Sequence, residues 1–196
     1  MFVEEYTLVS VADYVLSHTP GTTVSNMSST KALRDVTEAR DQRYFASAVG
    51  EVNVVEKMKQ ENAVIGGEGN GGVIYPELHY GRDALVGIAL FLSLLAKSGK
   101  TCSALRASYP NYEISKNKME LTPEMNVDLI LEKMAKKYAD CEVLTTDGVK
   151  IMFKDEWVHL RKSNTEPIIR IYSESRDMAA ANALATKIMN EIKQLL

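Results

Sequence analysis

The spacing of apolar residues along the chain predicts its elements in turn. Leu8, Val11, Ala12, Val15 and Leu16 recur at helical intervals, and Pro20-Gly21 ends that helix. Thr22-Thr23-Val24 reads as a short strand. A helix over 30–39 turns Ala32, Leu33 and Val36 inward. Tyr44 to Val49 reads as a second strand, and Gly50 turns the chain into a helix carrying Val54, Val55 and Met58. Ala63-Val64-Ile65 is a third strand; a glycine cluster and an extended Val73-Ile74-Tyr75 follow. The longest apolar run, Ala84 to Ala96, is broken only by Gly87 and Ser93. It is too short to span a bilayer and is expected to form a long buried helix over 82–97. Helices alternating with short strands predict an α/β layered domain with a mixed sheet.

The texture changes after Ser98-Gly99-Lys100. Leu105 to Tyr109 is a short segment broken by Pro110, and Tyr112 to Met119 looks extended. Thr122-Pro123-Glu124 puts a capping residue before a proline at the first helical position, so a helix is expected from there to Tyr138. Strands are expected at 142–145, 149–153, 157–160 and 168–173, with Asp147-Gly148 as a hairpin turn. An amphipathic helix over 178–195 closes the chain. Strands in hairpins with flanking helices predict a smaller α+β domain. The expected division is 1–107 and 108–196.

Composition adds little to this picture: 45% hydrophobic and 25% charged residues are ordinary for a globular chain. The net charge of −3 offers no bulk attraction to nucleic acid or to an anionic membrane, so neither is expected as a partner. An anionic ligand would need a local basic site. Cys102 and Cys141 lack metal-ligand spacing and read as reduced, partly buried thiols. His18, His79 and His159 are scattered and suggest no metal site. The start, Met-Phe-Val-Glu-Glu-Tyr, has no basic segment followed by an apolar one, so a cytoplasmic location is expected.

Two loops concentrate chemistry. Five of the eleven glycines fall in Gly66-Gly67-Glu68-Gly69-Asn70-Gly71-Gly72. Gly67, Gly69 and Gly72 satisfy the dinucleotide spacing, but that motif needs a helix N-terminus at its third glycine. Here Val73-Ile74-Tyr75-Pro76 follows, so the match is rejected. Glycines such as Gly67 and Gly69 let backbone approach a ligand closely. Glu68 and Asn70 supply a carboxylate and an amide suited to adjacent sugar hydroxyls. On this chemistry alone, a turn with a solvated glutamate stands level with a sugar-binding loop. The second loop, Arg161-Lys162-Ser163-Asn164-Thr165-Glu166-Pro167-Ile168-Ile169-Arg170, gathers two guanidinium groups, two hydroxyls and an amide. Arginine forks pair with phosphate, and hydroxyls and turn amides donate to its remaining oxygens. A hairpin whose arginines make surface ion pairs is the alternative.

Together the loops resemble the α-D-phosphohexomutase family, in its paired patterns G-G-E-x-[S/N]-G and R-x-S-N-T-x-P-x-x-R. The resemblance covers essentially the whole chain, as the third and fourth domains of a four-domain enzyme, the fourth built on a TATA-binding-protein-like sheet. It implies sugar-hydroxyl contacts for Glu68 and Asn70, with Asn standing where many members have Ser and Gly72 where many have His. It implies phosphate contacts for Arg161, Ser163, Asn164, Thr165 and Arg170. Glu51, in Val49-Gly50-Glu51-Val52-Asn53-Val54, falls where a proton-transfer residue would stand; a helix N-terminal carboxylate is its plainer reading. The implied reaction moves a phosphoryl group between C6 and C1 of a hexose through a hexose 1,6-bisphosphate, using a phosphoserine and Mg²⁺. Neither reacting group is expected here: no two of the nine aspartates are spaced i, i+2, and Leu16-Ser17-His18-Thr19-Pro20 imitates the serine motif only at a helix end. The chain is therefore expected to be inactive alone, with a phosphosugar and the missing N-terminal domains as partners. Its N-terminal helix is expected to be exposed, with an apolar face for a preceding domain. The competing reading is a stand-alone phosphosugar-binding or regulatory module.

Overall fold

The computed structural model describes residues 2–122, 125–163 and 166–195. The chain forms two compact units, Met1–Asn111 and Tyr112–Leu196. Residues 108–111 belong with the first unit: the Tyr109 hydroxyl donates to Asp13, and the Tyr6 hydroxyl donates to the Pro110 carbonyl at 2.7 Å.

The first unit runs α1 (Glu4–Leu16), β1 (Thr23–Asn26), α2 (Ala32–Glu38), β2 (Tyr44–Ser47), α3 (Glu51–Gln60), β3 (Ile65–Glu68), β4 (Gly72–Ile74), α4 (Ala84–Ser98) and α5 (Cys102–Ala107). Its mixed sheet has the order β2-β1-β3-β4, with β1 parallel to both neighbours and β4 antiparallel to β3. The α2 crossover steps one way from β1 and the α3 crossover steps back past it, so helices cover both faces. Val24, Val54, Met58, Ala63 and Ile74 form the core under α3. The third strand begins later than its apolar triplet suggested and takes in Gly66, Gly67 and Glu68.

Two helices reverse their expected roles. The N-terminal helix α1 is not exposed: it packs on α2, α4 and β3, and Leu8, Val9, Val11, Ala12 and Val15 are buried. The apolar α4 is not buried: Gly87 alone of its residues is, while Leu85, Ile88 and Leu92 are exposed. Cys102 is exposed and Cys141 half-buried, both free. Among the described residues no helix is long and apolar enough to cross a membrane.

The second unit runs β5 (Glu113–Glu120), α6 (Val127–Lys137), β6 (Glu142–Leu144), β7 (Val149–Met152), β8 (Trp157–Lys162), β9 (Ile168–Ser175) and α7 (Met178–Gln194). Its antiparallel sheet has the order β5-β9-β8-β7-β6. Val149, Ile151, Val158, Leu160, Ile169 and Ile171 point from one face into Ile130, Met134, Leu184 and Ile188 of α6 and α7. The first helix starts later than expected: Asn126 caps it by accepting from the Leu129 N–H at 3.1 Å. Pro123 and Glu124 lie outside the described residues. Alternation sends Trp157, His159, Arg161, Arg170, Tyr172 and Glu174 to the other face.

Candidate functional site

In the first unit, the sheet's topology selects the place. The strand order reverses around β1, and a crevice opens at the carboxyl ends of strands on either side of such a reversal. Asn26 ends β1 and Glu68 ends β3. Glu68 is 6% exposed, yet it is held as a carboxylate should be. The Asn26 amide donates to its Oε1 at 3.0 Å, and an Arg82 guanidinium nitrogen lies 3.5 Å from its Oε2. Ser29 ties the corner together: its hydroxyl donates to Asn26 Oδ1 and accepts from the Gly69 N–H at 2.9 Å.

Glu68 pairs with Gly72 across the hairpin, so Gly69, Asn70 and Gly71 form its tip. Asn70 is exposed, and its Oδ1 accepts from the Gly72 N–H at 3.0 Å. Among the described residues, the amide nitrogen of that side chain makes no hydrogen bond. A Cβ at position 72 would lie 2.6 Å from the Arg82 Cδ, so glycine there makes room for the arginine stem.

Arg82 joins the two carboxylates. It sits 2.7 Å from Glu51 Oε2, and its backbone N–H donates to Glu51 Oε1 at 3.1 Å. That N–H first, and then the guanidinium, hold the Glu51 carboxyl below the ordinary carboxylate range. Asp83 caps α4 through the Val86 N–H, which fixes where Arg82 leaves the backbone. Glu51, Asn70, Arg82 and Asp83 line an open polar pocket of about 520 Å³ with Gly71 and Gly72, within the range of ligand sites. Glu51, Gly67, Glu68, Gly69 and Asn70 are thus brought to one corner of the first unit. Sequence reasoning missed Asn26, Ser29 and Arg82. The available signal was topological: polar residues at the end of the first parallel strand and just before an aspartate cap.

In the second unit, β8 and β9 set Arg161 directly opposite Arg170 on the face away from the helices. Arg161 lies 3.7 Å from Asp147 Oδ2, and Arg170 lies 3.5 Å from Glu166 Oε2. These are loose pairs of partly exposed groups, each contributing about 0–1 kcal/mol. Ser163 is buried, and its N–H donates to the Ile168 carbonyl at 3.0 Å, closing the loop's base. Asn164 and Thr165 lie outside the described residues. Beneath Arg161, His159 Nε2 lies 2.6 Å from the Asp147 carbonyl. Burial above all pushes the His159 imidazole down to about 4, so it is neutral and donates there. The turn that carries Asp147 is thereby held beside Arg161.

Among the described residues no cluster of three or more His, Cys, Asp or Glu is placed to ligate a metal ion. The donor set of the described residues does not fit Mg²⁺.

The family profile "Phosphoglucomutase/phosphomannomutase, alpha/beta/alpha domain III" matches residues 4–112, and the profile for the C-terminal domain of the same family matches 118–191. A phosphoglucosamine/phosphogalactosamine mutase of Sulfurisphaera tokodaii is 41% identical over 150 residues, 76% of this chain and 32% of that protein. A phosphoglucomutase/phosphomannomutase of Thermococcus kodakarensis is 36% identical over 191 residues, 94% of this chain and 41% of that protein. The chain therefore spans 32–41% of the length of these relatives. A solved phosphoglucomutase/phosphomannomutase family protein from Burkholderia thailandensis shares the fold, with a TM-score of 0.79 at 24% identity over 97% of this chain and 41% of that one. With both of its units matched in order, this chain belongs to the phosphoglucomutase/phosphomannomutase family, of which it carries the third and C-terminal domains.

Proposed function

We propose that this chain is the substrate-gripping C-terminal part of a phosphohexomutase, acting on a hexose or hexosamine phosphate. The observation that carries the reading is the Glu68 carboxylate. It is nearly buried, oriented by Asn26 and Arg82, and sits at the carboxyl ends of parallel strands beside an open polar pocket. A carboxylate so held accepts from two adjacent hydroxyls, and Asn70 donates beside it. Arg161 and Arg170 take the phosphate that is not reacting, with Ser163, Asn164 and Thr165 filling its remaining oxygens.

The division of labour follows from the reaction. A phosphoserine outside this chain gives its phosphoryl group to a sugar hydroxyl, leaving a serine hydroxyl and a hexose 1,6-bisphosphate. The bisphosphate turns over, and the serine takes back the other phosphoryl group. Transfer of this kind depends on positioning and charge neutralisation, which the present loops supply. Glu51, held ionised by Arg82, is set to accept a proton rather than to donate one. Mg²⁺ belongs, on this reading, to the domains beyond this chain. The exposed Leu85, Ile88 and Leu92 of α4 are the seat for those domains, because the curated relatives are more than twice as long and an apolar helix face needs a cover.

The purified chain is expected to show no conversion of glucosamine 6-phosphate to the 1-phosphate at any Mg²⁺ concentration. Coupled assay of the product checks this; Mg²⁺-dependent turnover would place the reacting groups inside the chain and overturn the division of labour.

A further inference from the structure

Strand pairing brings a third cation beside the two arginines. Lys118 stands directly opposite Arg170, and Arg170 directly opposite Arg161, so the three side chains leave the sheet on one face. Neighbouring strands lie about 4.8 Å apart, so the row spans roughly 10 Å. A lysine stem crosses half of that without strain. The helix-facing positions of β5 alternate with these: Asn117 and Met119 lie opposite the buried Ile171 and Ile169. Lys118 therefore belongs to the face that carries the arginines.

Like charges placed directly opposite one another destabilise a sheet. A fold that sets three in a row needs negative charge from somewhere. The described residues offer little. Asp147 stands 3.7 Å from Arg161 and Glu166 stands 3.5 Å from Arg170, neither at close contact. Lys118 is exposed and makes no ion pair among the described residues. On the same face of β5, Lys116 adds further positive charge near the Tyr172 ring, and Glu120 contributes an exposed carboxylate. The row is thus an incompletely neutralised strip ending beside the loop base at Ser163.

We propose that Lys118 is a third phosphate ligand of this cradle, closing the side that the two arginine forks leave open. The assignment rests on the phosphate reading of Arg161. It also suits the substrate. A C1 phosphate is attached directly to the sugar ring, whereas a C6 phosphate hangs from a methylene, so the two present their oxygens at different heights. Planar forks fix one orientation well; an ammonium on a flexible stem follows either.

The test is a titration of the full chain with inorganic phosphate and with glucose 6-phosphate, followed by amide chemical shifts. The variants are Lys118→Gln, Lys118→Arg, Arg161→Ala and, on the opposite face, Lys162→Gln. Lys118→Gln is expected to raise both dissociation constants by roughly 5-fold or more. Lys118→Arg should recover most of that loss, and Lys162→Gln should leave both constants within about 2-fold. The slope of affinity against salt should fall in Lys118→Gln, as expected for one lost cation at an anion site. If Lys118→Gln binds as the wild type does while Arg161→Ala loses binding, the Lys118 assignment is wrong and the phosphate loop stands. If no wild-type signal moves up to about 50 mM of either ligand, both fall together.

Discussion

Arg161→Ala is expected to cost the chain about 2–4 kcal/mol of phosphosugar binding, a loss of roughly 30- to 1,000-fold. The magnitude follows from what a guanidinium supplies. It makes two parallel charge-assisted hydrogen bonds to phosphate oxygens, and a hydroxyl or backbone N–H cannot replace both. The Arg161 side chain is only 24% exposed, so its charge is less screened than that of an open surface arginine. Its ion-pair partner among the described residues is the Asp147 carboxylate at 3.7 Å, so truncation should change folding stability by less than about 1 kcal/mol. Binding and stability are thereby separable. Calorimetric titration with glucosamine 6-phosphate measures the first and urea unfolding the second. Lys162→Ala, one residue on and on the other face, is the matched control. A loss under about 3-fold in Arg161→Ala would mean that the phosphate is held elsewhere.

Gly67→Ala is expected to lower the stability of the first unit by about 3 kcal/mol or more. A Cβ at that position would lie 1.9 Å from the Gly72 carbonyl oxygen. A side chain in the way could turn aside, but this atom is backbone of the paired strand β4. The hairpin would have to part, taking Glu68 with it. The two units can be followed separately. The one tryptophan, Trp157, is buried in the second unit, where its indole N–H donates to Glu174 Oε1 at 2.6 Å. Its fluorescence reports that unit alone, whereas far-ultraviolet circular dichroism reports both. In urea, the variant should show an early dichroism transition while the fluorescence midpoint holds. A dichroism curve indistinguishable from wild type would contradict the close approach at Gly67.

Much of this fold was legible because its elements announce themselves locally. The spacing of Leu8, Val11 and Val15 gave α1, and the turn chemistry around Asp147-Gly148 separated β6 from β7. Burial was not legible in the same way. An apolar helix is read as buried, and α4 carries the longest apolar run in the chain, yet it lies exposed above α1. Sequence spacing describes one helix at a time, whereas burial depends on which helix another covers. The same limit explains the missed site residues. Asn26 and Arg82 are 42 and 14 positions from Glu68, and only the parallel pairing of β1 with β3 and the bridge between Ile74 and Arg82 bring them to it. Lys118 is further still from Arg161 in sequence, and the register of β5 on β9 is what sets them in one row.

Ligand binding at each loop is tested most directly by titrating the intact chain with glucosamine 6-phosphate and following backbone amides at both. Gly69, Asn70 and Gly71 report the glutamate hairpin; Ser163, Ile168 and Arg170 report the arginine loop. Each set should shift along a saturation curve as the ligand is added. A set that stays in place up to about 50 mM ligand would mean that its loop does not bind the sugar phosphate.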